Sequence, residues 1–256
     1  MAALLGSYPR ARPALSEAHQ RIYIEEYRRN RGAYGGALFR VTAALESWMH
    51  RRIAQRQTGD RLLELGAGTL NHLRYEPALQ YDIVEPLPAL YEHVADFDRV
   101  AKAYVSIADI PEQTRYSRII SVAVLEHVED LPRVVAHSGL LLDRNGIFQA
   151  GIPAEGGLLW GLAWRMTTGI AYRLRTGLSY APLMHYEHVN TAAEIIAIIR
   201  YCFAAVTVSW FPLPHRHLSF YCYIEARNPD TDRCKRLLTA TAGASPGMRL
   251  AAAAGS

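Results

Sequence analysis

The sequence predicts an α/β fold on a mostly parallel sheet, and three observations carry that reading. Short apolar runs alternate with helix-patterned segments between residues 60 and 153, as they do when parallel strands are joined by right-handed crossovers. The first run, Arg61-Leu-Leu-Glu-Leu65, breaks at once into Gly66-Ala67-Gly68. Two later strand-like segments, 204–210 and 217–226, follow one another with no helix between them, which suits an antiparallel hairpin closing the sheet.

Half of the 256 residues are apolar, enough for one large core. Three cysteines, Cys202, Cys222 and Cys234, have neither the number nor the spacing of a disulfide framework or a zinc site. With no secretory signal pattern in the first residues and no run of roughly 18 apolar residues, a cytoplasmic protein is expected. The net charge of +4 is uneven, because residues 1–56 hold ten arginines against Glu17, Glu25, Glu26 and Glu46. Their interleaving reads as a solvated helix face, and no nucleic-acid partner is expected.

Apolar residues recur at helical spacing over 16–30 (Ile22, Ile24, Tyr27) and 36–57 (Leu38, Val41, Leu45, Trp48, Ile53), so two helices precede the sheet, with Ser16 capping the first. Residues 1–59 therefore form a helical segment, read either as a lid carrying Tyr23 and Tyr27 or as helices packed on the sheet. Leu62 to Leu65 make a buried strand, the glycines turn the chain without a Cβ in the way, and Thr69 or Asn71 caps a following helix. Strand, glycine turn and helix N-terminus are the parts of a nucleotide-type cofactor site. A dinucleotide fingerprint would have a third glycine at Asn71. Tyr81 to Pro86 give a second strand ending in Glu85, 19 residues beyond Gly66, where a carboxylate meets ribose hydroxyls. A third strand spans 101–105 and leads to Ala108 and Asp109, an acid that also suits a turn cap. A fourth covers 118–122; then come a helix over 131–142 with Pro132 in its first turn, a turn over 143–146, and a fifth strand over 147–153. Residues 155–180 form an aromatic, amphipathic insertion, with Trp160 and Trp164 on one helical face. Thr191 and Glu194 have capping-box spacing for a helix over 191–201. The stretch 228–256 reads as a flexible tail.

The run Glu64-Leu-Gly-Ala-Gly-Thr69 resembles motif I of the class I S-adenosylmethionine (SAM)-dependent methyltransferases, and Val124-Leu-Glu-His-Val-Glu-Asp130 after the fourth strand resembles the small-molecule members related to ubiquinone and menaquinone methylating enzymes. The resemblance covers about residues 60–226, with Leu70 standing where many members have a third glycine. It implies a Rossmann-like fold with a mostly parallel seven-stranded sheet, a terminal antiparallel hairpin, N-terminal helices and a helical insertion after strand five. A SAM-binding domain over 60–227 is the unit it implies. SAM, with S-adenosylhomocysteine as product, would lie against Glu64, Gly66, Ala67, Gly68, Thr69, Asn71, Glu85, Pro86, Ala108, Asp109, Ser121, Val122 and Ala123. His127 and His188 are the implied candidate bases, with His185 and Glu187 beside the substrate.

Methyl transfer to a hydroxyl is the expected reaction, since an imidazole can take the hydroxyl proton. Trp160 and Trp164, with Tyr23 and Tyr27, favour a saccharide, a glycolipid or another secondary metabolite as acceptor. The insertion is read as a lid, with a membrane-surface contact through 157–175 or a homodimer surface as alternatives. His185, Glu187 and His188 lack a visible third ligand and a second shell, so no metal is expected. An NAD(P)-dependent oxidoreductase and a non-catalytic SAM-binding scaffold are the other function classes.

Overall fold

The computed structural model describes residues 1–29, 47–77 and 80–240, with side chains over 1–23, 47–77 and 80–239. Seven strands, β1 (Arg61–Leu65), β2 (Gln80–Val84), β3 (Val100–Tyr104), β4 (Tyr116–Val122), β5 (Leu142–Pro153), β6 (Phe203–Pro212) and β7 (Ser219–Pro229), form one sheet ordered β3-β2-β1-β4-β5-β7-β6. Strands β1 to β5 pair in parallel, and β7 runs antiparallel to both β5 and β6. The strand order reverses between β1 and β4, which opens a crevice at their C-terminal ends.

Burial alternates along β1 between two layers. Leu63 and Leu65 pack with α4 (Leu131–Leu141) and α8 (Ala192–Cys202), whereas Leu62 packs with Ile53, Leu70, Leu73 and Tyr81 on the opposite face. Ile53 belongs to α3, whose described part covers residues 47–54; the rest of the helix expected over 36–57 lies outside the described residues. At the N-terminal side are a short α1 (Ala2–Leu5) and α2 (Glu17–Arg29), the latter begun by Ser16, whose Oγ accepts the His19 N–H at 3.4 Å.

Four sequence expectations change. The α-helix predicted after the glycine turn is absent from the described residues: Leu70 takes a left-handed φ of 61°, which a right-handed helix cannot continue through, and only a 3₁₀ turn at Leu73–Tyr75 follows. Strand β5 begins at Leu142, not 147, with 143–146 carried as a bulge where the register with β4 shifts. An additional helix, α7 (Ala181–Glu187), precedes the predicted capping box of Thr191 and Glu194, which forms. The predicted tail contains α9 (Thr231–Ala240), whose Cys234 is buried against Gly139 of α4, because Cys234, Leu237 and Leu238 recur at helical spacing. Residues 241–256 lie outside the described residues.

The insertion consists of α5 (Leu158–Trp164), a π-helical turn (Arg165–Gly169) and α6 (Ile170–Thr176), ended by Gly177 at φ 74°. No helix among the described residues is long and apolar enough to cross a membrane.

Below the crevice a buried polar chain ties α3 to the sheet. His50 Nδ1 lies 2.9 Å from His72 Nδ1, His72 Nε2 lies 2.9 Å from Glu76, and both Glu76 oxygens accept from Arg118, at 2.9 and 3.0 Å. Burial raises the Glu76 carboxyl, but His72 and Arg118 outweigh it and hold the group below its ordinary 4.5. A depressed acid stabilises the fold fully above its unfolded value, about pH 4.5, and less as pH falls through the lower folded value. Replacing Arg118 with Met is expected to cost about 3–5 kcal/mol at pH 7, because Glu76 is left buried and uncompensated. Urea unfolding at pH 7 and pH 4 is expected to show a smaller loss at the lower pH.

Candidate functional site

The turn after β1 is shaped by two left-handed glycines. Gly66 has φ 68° and donates its N–H to Val84 O at 2.7 Å; a Cβ there would come within 2.5 Å of Val124. Gly68, at φ 51°, is different: a Cβ added to it would meet nothing within 4 Å. The backbone at Gly68 thus borders open space, with its N–H donated to Glu85 Oε2 at 2.9 Å. Glu85 also accepts the Leu87 N–H at 3.0 Å, and burial raises its carboxyl above the usual range. Ser121, at the end of β4, is fully buried with an unpartnered Oγ. Ala123 next to it takes a φ of 53°, an uncommon conformation for a residue with a Cβ, and donates its N–H to Gly151 O at 2.7 Å.

Other expected cofactor contacts are placed differently. Glu64 lies inside the second layer, accepting the Tyr81 hydroxyl at 2.5 Å, and burial pushes it up to about 7. Ala67 is buried in the same layer, while Thr69 and Asn71 are exposed and cap no helix. Pro86 is half-buried beside Glu85, and Val122 is half-buried at the end of β4. Ala108 and Asp109 are exposed, and Asp109 Oδ2 accepts the Ser106 N–H at 2.8 Å, so this acid caps its own turn as the alternative reading expects. Residues 62–73 contain no lysine or arginine, so the donor set at the turn is one of backbone N–H groups and carboxylates. That set accepts hydroxyls and cationic groups and offers a pyrophosphate no cationic side chain.

Beyond the C-terminal end of β4, two histidines from distant segments converge. His127 and His188 meet edge to face with ring centroids 4.9 Å apart. His127 Nδ1 lies 2.8 Å from Glu187 O, and Nε2 lies 3.8 Å from Glu126 Oε1. Glu126 is 2% exposed, its Oε2 has no partner, and burial pushes its carboxyl up to about 6. His188 Nδ1 lies 2.8 Å from Glu155 Oε2, which also accepts the Trp160 Nε1–H at 2.6 Å. Trp160 stacks toward His188 and tilts against Tyr221, so one of the two tryptophans borders the histidines. Trp164 is buried against Tyr180 instead. Tyr23 meets Tyr186 edge to face and hydrogen-bonds Glu187. His185 points to solvent, and the Tyr27 side chain lies outside the described residues. A cavity of about 250 Å³ is lined by the insertion and the start of α7, including Trp164, Ile170, Arg173 and Tyr180, and by none of the residues of the glycine turn.

Sequence reasoning missed what joins the two histidine loops. Asn190 is 1% exposed; its Nδ2 donates to Leu125 O at 2.9 Å and Val128 O at 2.7 Å, and its Oδ1 accepts the Tyr8 hydroxyl at 2.6 Å. Glu126 O accepts the N–H groups of Val189 and Asn190. Arg12 adds bonds to His127 O, Tyr186 O and the Glu129 carboxylate. Only the clustering of polar residues before the α8 capping box pointed toward this clasp. Glu155 was passed over as the boundary of the insertion.

A seven-stranded sheet with this order and a reversed last pair is the architecture shared by class I SAM-dependent methyltransferases, and fold and glycine turn place the chain among them. Residues 37–177, more than half of the chain, match the family described as "Methyltransferase domain", and the chain belongs to that family. A SAM-dependent methyltransferase from Thermotoga maritima aligns with a TM-score of 0.55 and 14% identity, covering 82% of this chain and 97% of that one. The N-methyltransferase NodS from Bradyrhizobium japonicum WM9, in complex with S-adenosylhomocysteine, aligns with a TM-score of 0.50 and 16% identity, covering 73% and 87%. No curated protein matches the sequence. The chain is an enzyme of this class with SAM as its cofactor, and the ubiquinone-type subgroup is not distinguished by these matches.

Replacing Asn190 with Ala is expected to cost about 2–4 kcal/mol in urea unfolding, since it strips partners from two carbonyls and a hydroxyl in a buried place. Asn190→Asp, which sets a carboxylate oxygen against those carbonyls, is expected to cost at least as much.

Proposed function

We propose that the enzyme transfers the methyl group to a hydroxyl of a saccharide-bearing acceptor, with the residues beyond β1, β2 and β4 holding SAM and those beyond β4 and β5 holding the acceptor. The observation that carries the acceptor reading is the convergence of Glu126, His127 and His188 beside that edge of the sheet. When bound, SAM supplies an electrophilic methyl on a positively charged sulfur. Gly68 leaves room at the turn, Glu85 offers carboxylate oxygens at the position where ribose hydroxyls are met, and the orphaned Ser121 Oγ offers a polar partner near the end of β4. In-line transfer depends mainly on holding nucleophile and methyl in near-attack geometry. A hydroxyl acceptor must also lose its proton, and the cluster provides acceptor atoms: Glu155 anchors His188 through Nδ1, the Glu187 carbonyl anchors His127 the same way, and both leave Nε2 for the substrate. Trp160 and Tyr221 provide aromatic faces on which a sugar ring stacks. In this reading residues 60–227 are the SAM-binding unit, and the insertion over 155–180, with the helical segment over 1–59, forms the lid.

The acceptor is further proposed to be lipid-linked and met at a membrane surface. Leu158, Leu162, Met166, Ile170 and Leu174 recur every fourth residue along the insertion, each at least 50% exposed. Arg165, Arg173 and Arg175 are exposed beside them, and residues 156–186 contain no acidic side chain. An apolar stripe flanked only by positive charge is complementary to an anionic lipid surface.

Calorimetry is expected to show SAM binding and no NAD binding. Gly68→Leu should abolish SAM binding while costing about 1–2 kcal/mol of stability for its left-handed backbone. Labelled SAM incubated with cell extract is expected to label an extractable glycolipid or saccharide; tight SAM binding with no labelled acceptor would favour a scaffold. Sedimentation with phosphatidylglycerol vesicles should pull the protein down, and the L162E/L174E pair should release it. A wild-type dimer that the same pair dissociates, with no vesicle binding, would assign the stripe to a second copy of the chain.

A further inference from the structure

His127 and His188 are both held through Nδ1, which leaves Nε2 of each ring available. A backbone carbonyl can only accept, so the neutral His127 ring carries its proton on Nδ1, toward Glu187 O, and keeps a lone pair on Nε2. The carboxylate of Glu155 selects the same tautomer in His188. Glu126, from the same turn as His127, adds a buried carboxylate oxygen with no hydrogen-bond partner. One ligand atom from each of these residues lies within 4.8 Å of the other two. With Nδ1 of each ring engaged, the Nε2 lone pairs and the Glu126 carboxylate are the groups left to hold a cation between the three residues.

We infer that Glu126, His127 and His188 form a binding site for a divalent transition-metal cation, held by two imidazole nitrogens and one carboxylate oxygen. Two-histidine, one-carboxylate sets bind zinc and related ions and leave coordination positions open. Each histidine already has the outer partner such ligands require, a carbonyl for His127 and a carboxylate for His188, which orients the ring and raises its basicity. Bonds of about 2.0–2.2 Å require donors roughly 3–3.5 Å apart, so the side chains must close in on the ion. Both histidines are partly exposed, at 20% and 13%, and have room to do so. Two ligands come from the turn after β4 and one, His188, from the segment between α7 and α8, so the 185–188 run supplies a single ligand and a distant part of the sequence the other two. If the acceptor lies where the proposed function puts it, which is the one point where this inference rests on that reading, an open position of the ion would take the acceptor oxygen and ease loss of its proton.

The experiment uses the full chain, stripped with EDTA and titrated calorimetrically with zinc, then manganese, in the absence of SAM and acceptor. Cobalt(II) absorption spectra report the nitrogen and oxygen ligand set directly. One zinc per chain is expected, with affinity lowered at least tenfold in His188→Ala and in Glu126→Gln, whose near-identical shape preserves the fold. Glu155→Gln, which touches only the outer partner of His188, should weaken binding about 10- to 100-fold. Exposed His185→Ala should leave it unchanged. No zinc binding, binding unaltered by Glu126→Gln and His188→Ala, or binding lost with His185→Ala would each overturn the inference. Because no SAM is present, absence of a metal would leave methyl transfer with an imidazole base intact, and failure of SAM binding would leave the metal site intact.

Discussion

One buried amide joins the two loops that bring His127 and His188 together. Asn190 meets two carbonyls of the turn after β4 with its nitrogen and the Tyr8 hydroxyl with its oxygen, so each of its polar atoms is satisfied in a place water does not reach. Such a group contributes little net energy while complete and costs a great deal when broken, which makes it a specifier of geometry more than a source of stability. What it specifies is the distance between His127 and His188, more than 60 positions apart in sequence. Arg12 strengthens the same seam by donating to backbone on both sides of it.

The buried charges divide by location. Toward the far end of the sheet, Glu76 and Arg118 neutralise one another with His72 bonded to the same carboxylate, and burial lowers His50 to about 3, so it stays neutral beside them. At the C-terminal edge, the carboxyls of Glu64, Glu85 and Glu126 are each pushed upward by burial. Acids kept from their preferred charge distribution are expected where the fold serves a ligand and not itself. The three differ in what they meet: Glu64 a tyrosine, Glu85 the glycine turn, Glu126 the open space between two histidines.

Strands β1 and β2 were legible because each is a short, largely apolar run bounded by glycine, proline or acid. The terminal hairpin was legible for a similar reason, since no helix-patterned stretch separates its strands. The helix after the glycine turn was not, because a leucine in a left-handed conformation has no local signature; Leu70 looks like an ordinary helix residue until its φ is known. Helix α9 was misread because its neighbours beyond residue 240 are rich in Ala, Gly and Ser, and their composition masked the apolar spacing of Cys234, Leu237 and Leu238. The pairing of Gly68 with Glu85 follows from their places at the ends of neighbouring strands, which spacing alone indicates. Glu126, Glu155 and Asn190 were not given their parts, because each gains its meaning from a partner that the sequence does not set nearby.

The insertion contains a π-helical turn between its two α-helical halves, and its geometry bears on what the enzyme can rest against. In an unbroken α-helix, residues taken every fourth position creep around the axis, by roughly 160° over the sixteen residues from Leu158 to Leu174. A turn with more residues in it subtracts from that creep. The five apolar side chains are thereby brought closer to a straight keel, so the insertion can lie along a flat boundary for its whole length instead of touching it at a single point.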